Sequence, residues 1–551
     1  MMILNNSVKL PSEFEERLKT LPGFDYEKYK SEIEKGEPVR ALQINTLKIS
    51  KKEFEKTVSF PVEKIDFVDG GYFFKNEHIG RTPEHHSGMI YVQEPSAMCP
   101  VSGVDIKPDW KVLDLCASPG GKSFQIARKL NDTGVLVSNE IVPSRCKTLV
   151  GNFERMGIRN SIVTNADSAM IGRWYNNVFD LVVVDAPCSG EGMFRKSENA
   201  VNDWSVENVL NCALRQEEIL NNIAGVVKPG GCILYSTCTF SIEENEMNVD
   251  RFLRQHPDFE LCKLNKRTEA CTEDGIKFEG CNEENIGFTR RFYPYKSKGE
   301  GQFMALMRRK TDGQKTYEAE KIITTEKLLN IEAERSKAKF QKDKKFTDKI
   351  SEMKISYKDG CRSLTKEESR IVCEFLQDIL DNRITKINMY KNIIESVCIN
   401  FSKNRNVNFS DDLCKDEKNK KDISCMKSEY GSAQEMLFKV RKYNNNIVLI
   451  KDVLPVPDEK VFSCGVKIGE IVRRRLVPHH QFFMAYGEFF NRKICLKLED
   501  EKTAQYICGM GFECPAFENG WAVVLVNDCS VGGVKIVNGF AKNHYPKGLR
   551  M

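Results

Sequence analysis

The chain has 551 residues, 41% of them apolar, and a formal net charge of +5. That length suits roughly three or four domains with sizeable cores, and so weak a positive charge permits nucleic-acid binding only if the basic residues are clustered. No window reaches the roughly 18–20 apolar residues of a membrane span. Twenty cysteines without one Cys-x-x-Cys pair argue against a zinc ribbon, and most read as small buried hydrophobes. The opening MMILNNSVKLPSEFEERLK has no apolar core of a secretory signal, so a reduced, cytoplasmic protein is expected.

In chain order, PSEFEERLKTLPGFDYEKYKSEIEKG predicts two short amphipathic helices broken at Pro22-Gly23. VRALQINTLK and the segments to Gly80 predict short strands and a helix, which makes residues 1–95 a small α+β N-terminal lobe. Across 96–309 strands (KVLDLC, GVLVSNE, SIVTNAD, FDLVVVDA, GCILYST) alternate with helices (GGKSFQIARKL, SRCKTLVGNFERMG, LRQEEILNNIAGVV). The alternation predicts an α/β fold with a doubly wound, mostly parallel sheet. Its strands are nearly all apolar, as they must be when both faces are covered. Residues 310–360, dense in Lys and Glu, read as a charged linker or exposed helix. Residues 361–460 read as helical and irregular chain, with a polar loop near 404–431 and short strands returning from about 435. Residues 461–551 read as a small β-rich module with a basic tail, AKNHYPKGLRM.

LDLCASPGGKS, Leu113 to Ser123, ends a strand and opens a helix. Its glycines let backbone approach a ligand. A phosphate-binding loop needs Gly, four residues, then Gly-Lys-Ser; here Cys116 stands where the first glycine belongs, which excludes that motif. A nucleoside cofactor remains, and it needs an acid about 20 residues on, at the end of the next strand, to grip ribose; Glu140 closes VLVSNE there. The loop is not Gly-x-Gly-x-x-Gly, which disfavours NAD. S-adenosylmethionine, with no phosphates and a cationic sulfonium, suits a loop beside Asp114. Four acids close successive strands: Asp114, Glu140, Asp167 and Asp185. Any one alone could be a helix cap.

Ligands of open α/β sheets bind beyond the carboxyl ends of the strands. Asp185 and Cys188 in DAPCSGEGMFRK lie just past one such end, and Cys238 in YSTCTFSIEENE past the next. If the two strands are neighbours, both thiols face one crevice; otherwise they are buried thiols or a disulfide. A thiol, a carboxylate and a methyl donor together fit C5 methylation of a pyrimidine: a thiolate adds to C6 and makes C5 nucleophilic.

These motifs resemble the NOL/NOP/Sun (RsmB/NOP) family of RNA cytosine-C5 methyltransferases, most of all its bacterial ribosomal-RNA members of the RsmF/YebU type. RALQINTLK, YVQEPSAM, NADS, GEGQF and KNHYPKGLR are similar to that family as well. The resemblance implies a Rossmann-like class I methyltransferase with a C-terminal PUA-like module. It implies Cys238 as the nucleophile, Cys188 as the thiol that helps release product, and Asp185 as the group meeting the base and the methyl-donor end of the cofactor. Cys116, Ala117, Ser118, Pro119, Gly120, Gly121, Lys122, Glu140 and Asp167 are implied contacts of S-adenosylmethionine, with Arg145 or Lys122 supporting the site. Lys122 has a plain alternative, as a structural cation paired with Asp185 or another carboxylate. No metal and no membrane are implied, and a monomer is expected. RNA is the expected partner, 16S ribosomal RNA before tRNA, and the competing non-enzymatic reading is an RNA-binding assembly factor. Arg473-Arg474-Arg475 either meet phosphates or keep an exposed strand soluble.

Overall fold

The computed structural model describes residues 10–311 except 36 and 37, and residues 361–551 except 363, 381–384, 391–395, 402–435, 444, 451–453 and 455–459. Residues 312–360 of the charged linker and the polar loop near 404–431 lie outside the described residues.

The N-terminal lobe opens with helices Ser12–Thr20 and Tyr26–Glu34. They part at Pro22-Gly23, where Gly23 has φ 74°, and Asp25 caps the second by accepting from the Lys28 N–H. Their apolar stripes, Phe14, Leu18, Tyr26, Tyr29 and Ile33, do not pack on the lobe's own sheet. They cover Phe194, Trp204, Phe240 and Tyr293 of the following domain, so they roof the loops that follow two of its strands. Strands β1 (Ala41–Ile44), β2 (Val62–Lys64), β3 (Gly71–Phe74) and β4 (Ile90–Val92) form an antiparallel sheet in the order β2-β3-β1-β4.

The central sheet is built from β5 (Lys111–Asp114), β6 (Val135–Asn139), β7 (Ser161–Thr164), β8 (Phe179–Asp185) and β9 (Val227–Thr237), parallel in the order β9-β8-β5-β6-β7. β10 (Phe259–Cys262), β11 (Glu273–Asp274), β12 (Arg290–Phe292) and β13 (Gln302–Arg309) extend it beyond β9. Successive residues feed opposite cores: Val112, Leu136, Leu181 and Val183 join one apolar cluster, and Leu113, Val137, Val182 and Val184 the other. Both faces are thereby covered. The chain runs outward through β6 and β7, then returns to lay β8 on the other side of β5. The switch between β5 and β8 opens the crevice in which such sheets bind ligands.

The C-terminal half holds more strand than expected. Residues 361–460, read from sequence as helical and irregular with strands returning from about 435, hold among the described residues one helix, Lys366–Ile379, and five strands: β14 (Cys361–Arg362), β15 (Thr385–Tyr390), β16 (Ser396–Phe401), and, where strands were expected, β17 (Met436–Tyr443) and β18 (Asn446–Ile450). A division at 460 falls inside a sheet, because β20 (Val466–Val472) pairs with β18 and β21 (Arg475–Pro478) follows it as a hairpin. β19 (Val461–Cys464) instead pairs antiparallel with β7, so this short strand widens the central sheet. The last sheet, β22 (Lys493–Leu496), β23 (Phe512–Glu513), β24 (Gly520–Val526), β25 (Cys529–Val537) and β26 (Phe540–Asn543), has the order β22-β24-β25-β26-β23. Buried Arg159 fixes the preceding helix, His480–Tyr486, against the central domain, donating to the Ala485 carbonyl at 2.7 Å and pairing with Asp132 and Glu488. No helix among the described residues is long and apolar enough to cross a membrane.

Candidate active site

The strand order sets the four acids in a row. Reading from the switch, Asp185 ends β8, Asp114 ends β5, Glu140 follows β6 and Asp167 lies beyond β7. Each is held differently. Asp114 is buried at 1% exposure; one oxygen accepts from the Ser123 hydroxyl at 2.6 Å, while the other has no hydrogen-bond partner in the structure. Burial pushes its carboxyl up to about 7, and the neighbouring Asp185 and Glu140 add to the shift against the opposing Ser123 hydrogen bond and Lys122 charge. Glu140 accepts from the Val142 N–H at 2.9 Å and faces Arg145 at 3.4 Å. Asp167 caps the helix Ser168–Trp174, accepting from the Met170 N–H at 2.7 Å. The capping role that any one acid could have is therefore seen at Asp167.

The glycine loop between β5 and the helix Gly121–Leu130 lies against Glu140 and Arg145. The Arg145 guanidinium donates to the Ser118 carbonyl at 2.8 Å, and the Ser118 hydroxyl donates back to the Arg145 carbonyl at 3.0 Å. Ala117 donates its N–H to Asn139, and the Pro119 carbonyl accepts from Asn152. Gly120 has φ 112°, a conformation side chains rarely adopt, and a Cβ there would come within 2.9 Å of Leu149. Cys116 is half-buried, and burial raises its thiol far above the ordinary range. Lys122, the last of the loop candidates, is 6% exposed and pairs with Asp185 at 2.8 Å, the structural pairing weighed from the sequence.

Across the switch, β8 and β9 are neighbours, with Asp185 opposite Ser236. The condition on the two cysteines is met: the Sγ atoms of Cys188 and Cys238 lie 3.1 Å apart, and both are free thiols. The shared hydrogen bond with Cys238, then burial, raises Cys188 well above an ordinary thiol. Asp185 is held on three sides, by Lys122, by the Ser236 hydroxyl at 2.8 Å and by the Gln302 amide at 3.3 Å.

The structure adds groups with no assigned role in the sequence. Glu191 accepts from Trp204, from the backbone of Phe240 and Ser241 and from the Ser241 hydroxyl, fixing the chain just past Cys238. Arg291 and Glu246 form a buried pair, and Arg291 also donates to the Phe240 carbonyl at 2.8 Å. Glu246 and Gln302 do lie in the SIEENE and GEGQF stretches, but their partners are distant in sequence, so no spacing rule points to them.

A parallel sheet with its switch at β5/β8, a glycine loop opening a helix and acids at successive strand ends define a Rossmann-like methyltransferase fold. Residues 103–308 match the family model of the 16S rRNA methyltransferase RsmB/F, residues 10–95 the N-terminal domain of 16S rRNA methyltransferase RsmF, and residues 493–551 the methyltransferase RsmF PUA domain. Together the three cover more than half of the chain, which belongs to the RsmB/F methyltransferase family. The last match coincides with the sheet of β22–β26.

The chain is similar to ribosomal RNA small subunit methyltransferase F of Vibrio vulnificus, 36% identical over 326 residues, 56% of this chain and 65% of that one. The same protein of Vibrio parahaemolyticus is 37% identical over 326 residues, 56% and 64% of the two chains. The chain thus spans about 65% of the length of the first of these relatives. Among solved structures, a methyltransferase homolog from Pyrococcus horikoshii is 29% identical with a TM-score of 0.47, covering 55% of this chain and 96% of that one.

Proposed function

We propose that the protein transfers a methyl group from S-adenosylmethionine to C5 of a cytosine in RNA, with 16S ribosomal RNA the first candidate substrate. The observation that carries this reading is the contact of two free thiols, Cys188 and Cys238, beside an anchored carboxylate at the switch. Two thiols in a parallel-sheet crevice serve nucleophilic chemistry better than packing.

The residues beyond β5–β7 fit the cofactor. Asp114 is a buried carboxylate with one oxygen unpartnered and, among the described residues, no ion pair of its own, so a positively charged ligand satisfies it. Glu140 and Asp167 keep lone pairs free for hydroxyl and amine donors, and the loop Cys116–Lys122 supplies close backbone. When bound, S-adenosylmethionine supplies a methyl group on a positively charged sulfur.

Cys238 attacks C6 of a flipped cytosine as a thiolate, giving a covalent Cys238–C6 adduct in which C5 is enamine-like. Cys188 is the partner that keeps its proton in the resting pair, because the hydrogen bond to Cys238 and burial both favour its neutral form. Once the methyl group is on C5, a base takes the C5 proton, the C5–H electron pair re-forms the C5–C6 double bond and the Cys238–C6 bond breaks to release the thiolate; Cys188, its own proton given up to solvent after Cys238 has bonded to C6, is that base. Asp185, paired with Lys122, contacts the base. Lys122 acts as the structural cation that orients it. The N-terminal lobe and the PUA module hold RNA, and the protein works as a cytoplasmic monomer.

Bisulfite sequencing of ribosomal RNA from a strain lacking the gene, beside wild type, tests the reading. Loss of one protected cytosine is expected. Unchanged protection throughout the 16S molecule eliminates that substrate.

A further inference from the structure

Behind the thiols lies a polar cluster that the transfer itself does not use. Ser189 follows Cys188 and Thr239 follows Cys238, and their hydroxyl oxygens lie 2.9 Å apart. Ser189 also gives its backbone N–H, at 3.1 Å, and its hydroxyl proton to the two oxygens of Glu244, which has no exposed surface. With that proton committed, Thr239 donates to the Ser189 oxygen. Gln216, on the helix Val206–Ile223, donates one amide hydrogen to Glu244 at 2.7 Å and the other to the Pro187 carbonyl at 2.9 Å. The Gln216 oxygen in turn meets Asn248 and the Tyr235 hydroxyl. Burial pushes the Glu244 carboxyl up to about 7, against the hydrogen bonds from Ser189 and Gln216. A carboxylate this deep is costly unless its hydrogen bonds fix something an apolar side chain could not. Here they fix two loops to each other, since Glu244 grips the residue beside one thiol directly and the residue beside the other through Ser189.

We propose that Glu244 is the positioning residue of the thiol pair, holding Cys188 and Cys238 at contact distance through Ser189 and Thr239. This rests on the reading of the two cysteines as the reacting pair. Glu244 touches neither substrate nor cofactor; it acts through the loops.

Intramolecular disulfide closure by the azo oxidant diamide reads that positioning without RNA or cofactor. The two thiols lose two protons and two electrons, the azo nitrogens take them up to become a hydrazine, and one S–S bond forms. The full-length protein is pulsed with diamide and quenched by alkylation, and the peptide linking Cys188 to Cys238 is quantified by mass spectrometry. Wild type is expected to close fastest, with Glu244→Gln and Ser189→Ala slower by about fivefold or more, as loosened reactants are. In methylation assays both are expected to lower kcat and leave the KM for the cofactor unchanged. Glu244→Gln replaces an acceptor with an amide that opposes the donors of Ser189 or Gln216. Should it fail to fold, Ser189→Ala decides, because it removes the hydroxyl contacts and keeps the backbone one. Closure at the wild-type rate in the folded variants overturns the proposal, as does a wild type that does not close. Fast closure in wild type and slow closure in the variants, with no RNA methylated by any, supports the positioning and removes the methyl-transfer reading instead.

Discussion

The two sides of the β5/β8 switch are built on different principles. Beyond β5, β6 and β7 the strand-end acids are held locally: Glu140 by Val142, two residues on, and Asp167 by Met170, three residues on. Beyond β8 and β9 almost nothing is local. Ser189 meets Glu244, Asp185 meets Gln302, and Phe240 lies under the helices of the first 34 residues. A site that must accept a small cofactor can be made from strand ends and helix starts, whose backbone geometry is already fixed. A site in which two thiols must meet a third atom needs loops tied to one another from outside, because loop backbone alone does not hold that geometry.

Substitutions on the two sides should therefore separate chemistry from binding. The largest effect is expected from Cys238→Ala. It removes the attacking atom and should lower the methylation rate by about 10³-fold or more, while cofactor affinity by calorimetry stays at the wild-type value. Cys188→Ala should be smaller in rate and different in kind: release fails after transfer, so a protein–RNA adduct that survives denaturing electrophoresis accumulates. If Cys188→Ala abolishes activity without adduct and Cys238→Ala retains it, the two roles are exchanged.

The contrast also governs what could be read from the chain. The five parallel strands were legible because double burial leaves unbroken apolar runs, and Asp114, Glu140, Asp167 and Asp185 because each closes such a run. The meeting of Cys188 and Cys238 was legible only as a condition, that β8 and β9 be neighbours. Glu244, Gln302 and Glu191 were not legible, since burial with partners 55, 117 and 49 residues away leaves no periodic trace in sequence. The sheet of β15–β18, β20 and β21 was read only in part: β17, β18 and β20 stand out as apolar-rich runs, whereas β15 and β16 are cut off from them in sequence, β16 ending at Phe401 and β17 starting at Met436. Its continuation past residue 460, and the pairing of β19 with β7, rest on contacts that spacing does not encode.

On the cofactor side the expected effects are graded and depend on pH. Asp114 carries a carboxyl raised to about 7, and a bound cation favours its ionised form. Cofactor affinity should therefore climb as pH rises from about 5 to about 7, by at most roughly tenfold per pH unit, and level off above. Stability of the cofactor-free protein should run the other way. A carboxyl raised on folding contributes stability that is present below its unfolded value and lost as pH rises through about 7. Asp114→Asn should flatten both dependences, the first in calorimetric titrations and the second in thermal melts. A cofactor affinity independent of pH between 5 and 7 would place the cation elsewhere than beside Asp114.

The smallest expected effect lies far from the switch, at the turn joining β20 to β21. Arg473 and Arg474 both have positive φ, 49° and 61°, in a two-residue hairpin loop that favours Asn-Gly. Arg474 is exposed, with Glu367 at 3.1 Å as its partner, so no buried contact repays the strained backbone. A strained turn retained with two arginines is understandable if the pair meets phosphate, and is merely costly if it only keeps the strand soluble. Replacing Arg473-Arg474 by Asn-Gly should stabilise the fold by about 1 kcal/mol or more. In the first case it also lowers the slope of RNA affinity against salt by about one to two. A gain in melting temperature with an unchanged salt slope assigns the arginines to solubility, and leaves the RNA-binding surface to be sought on the N-terminal lobe and on β22–β26.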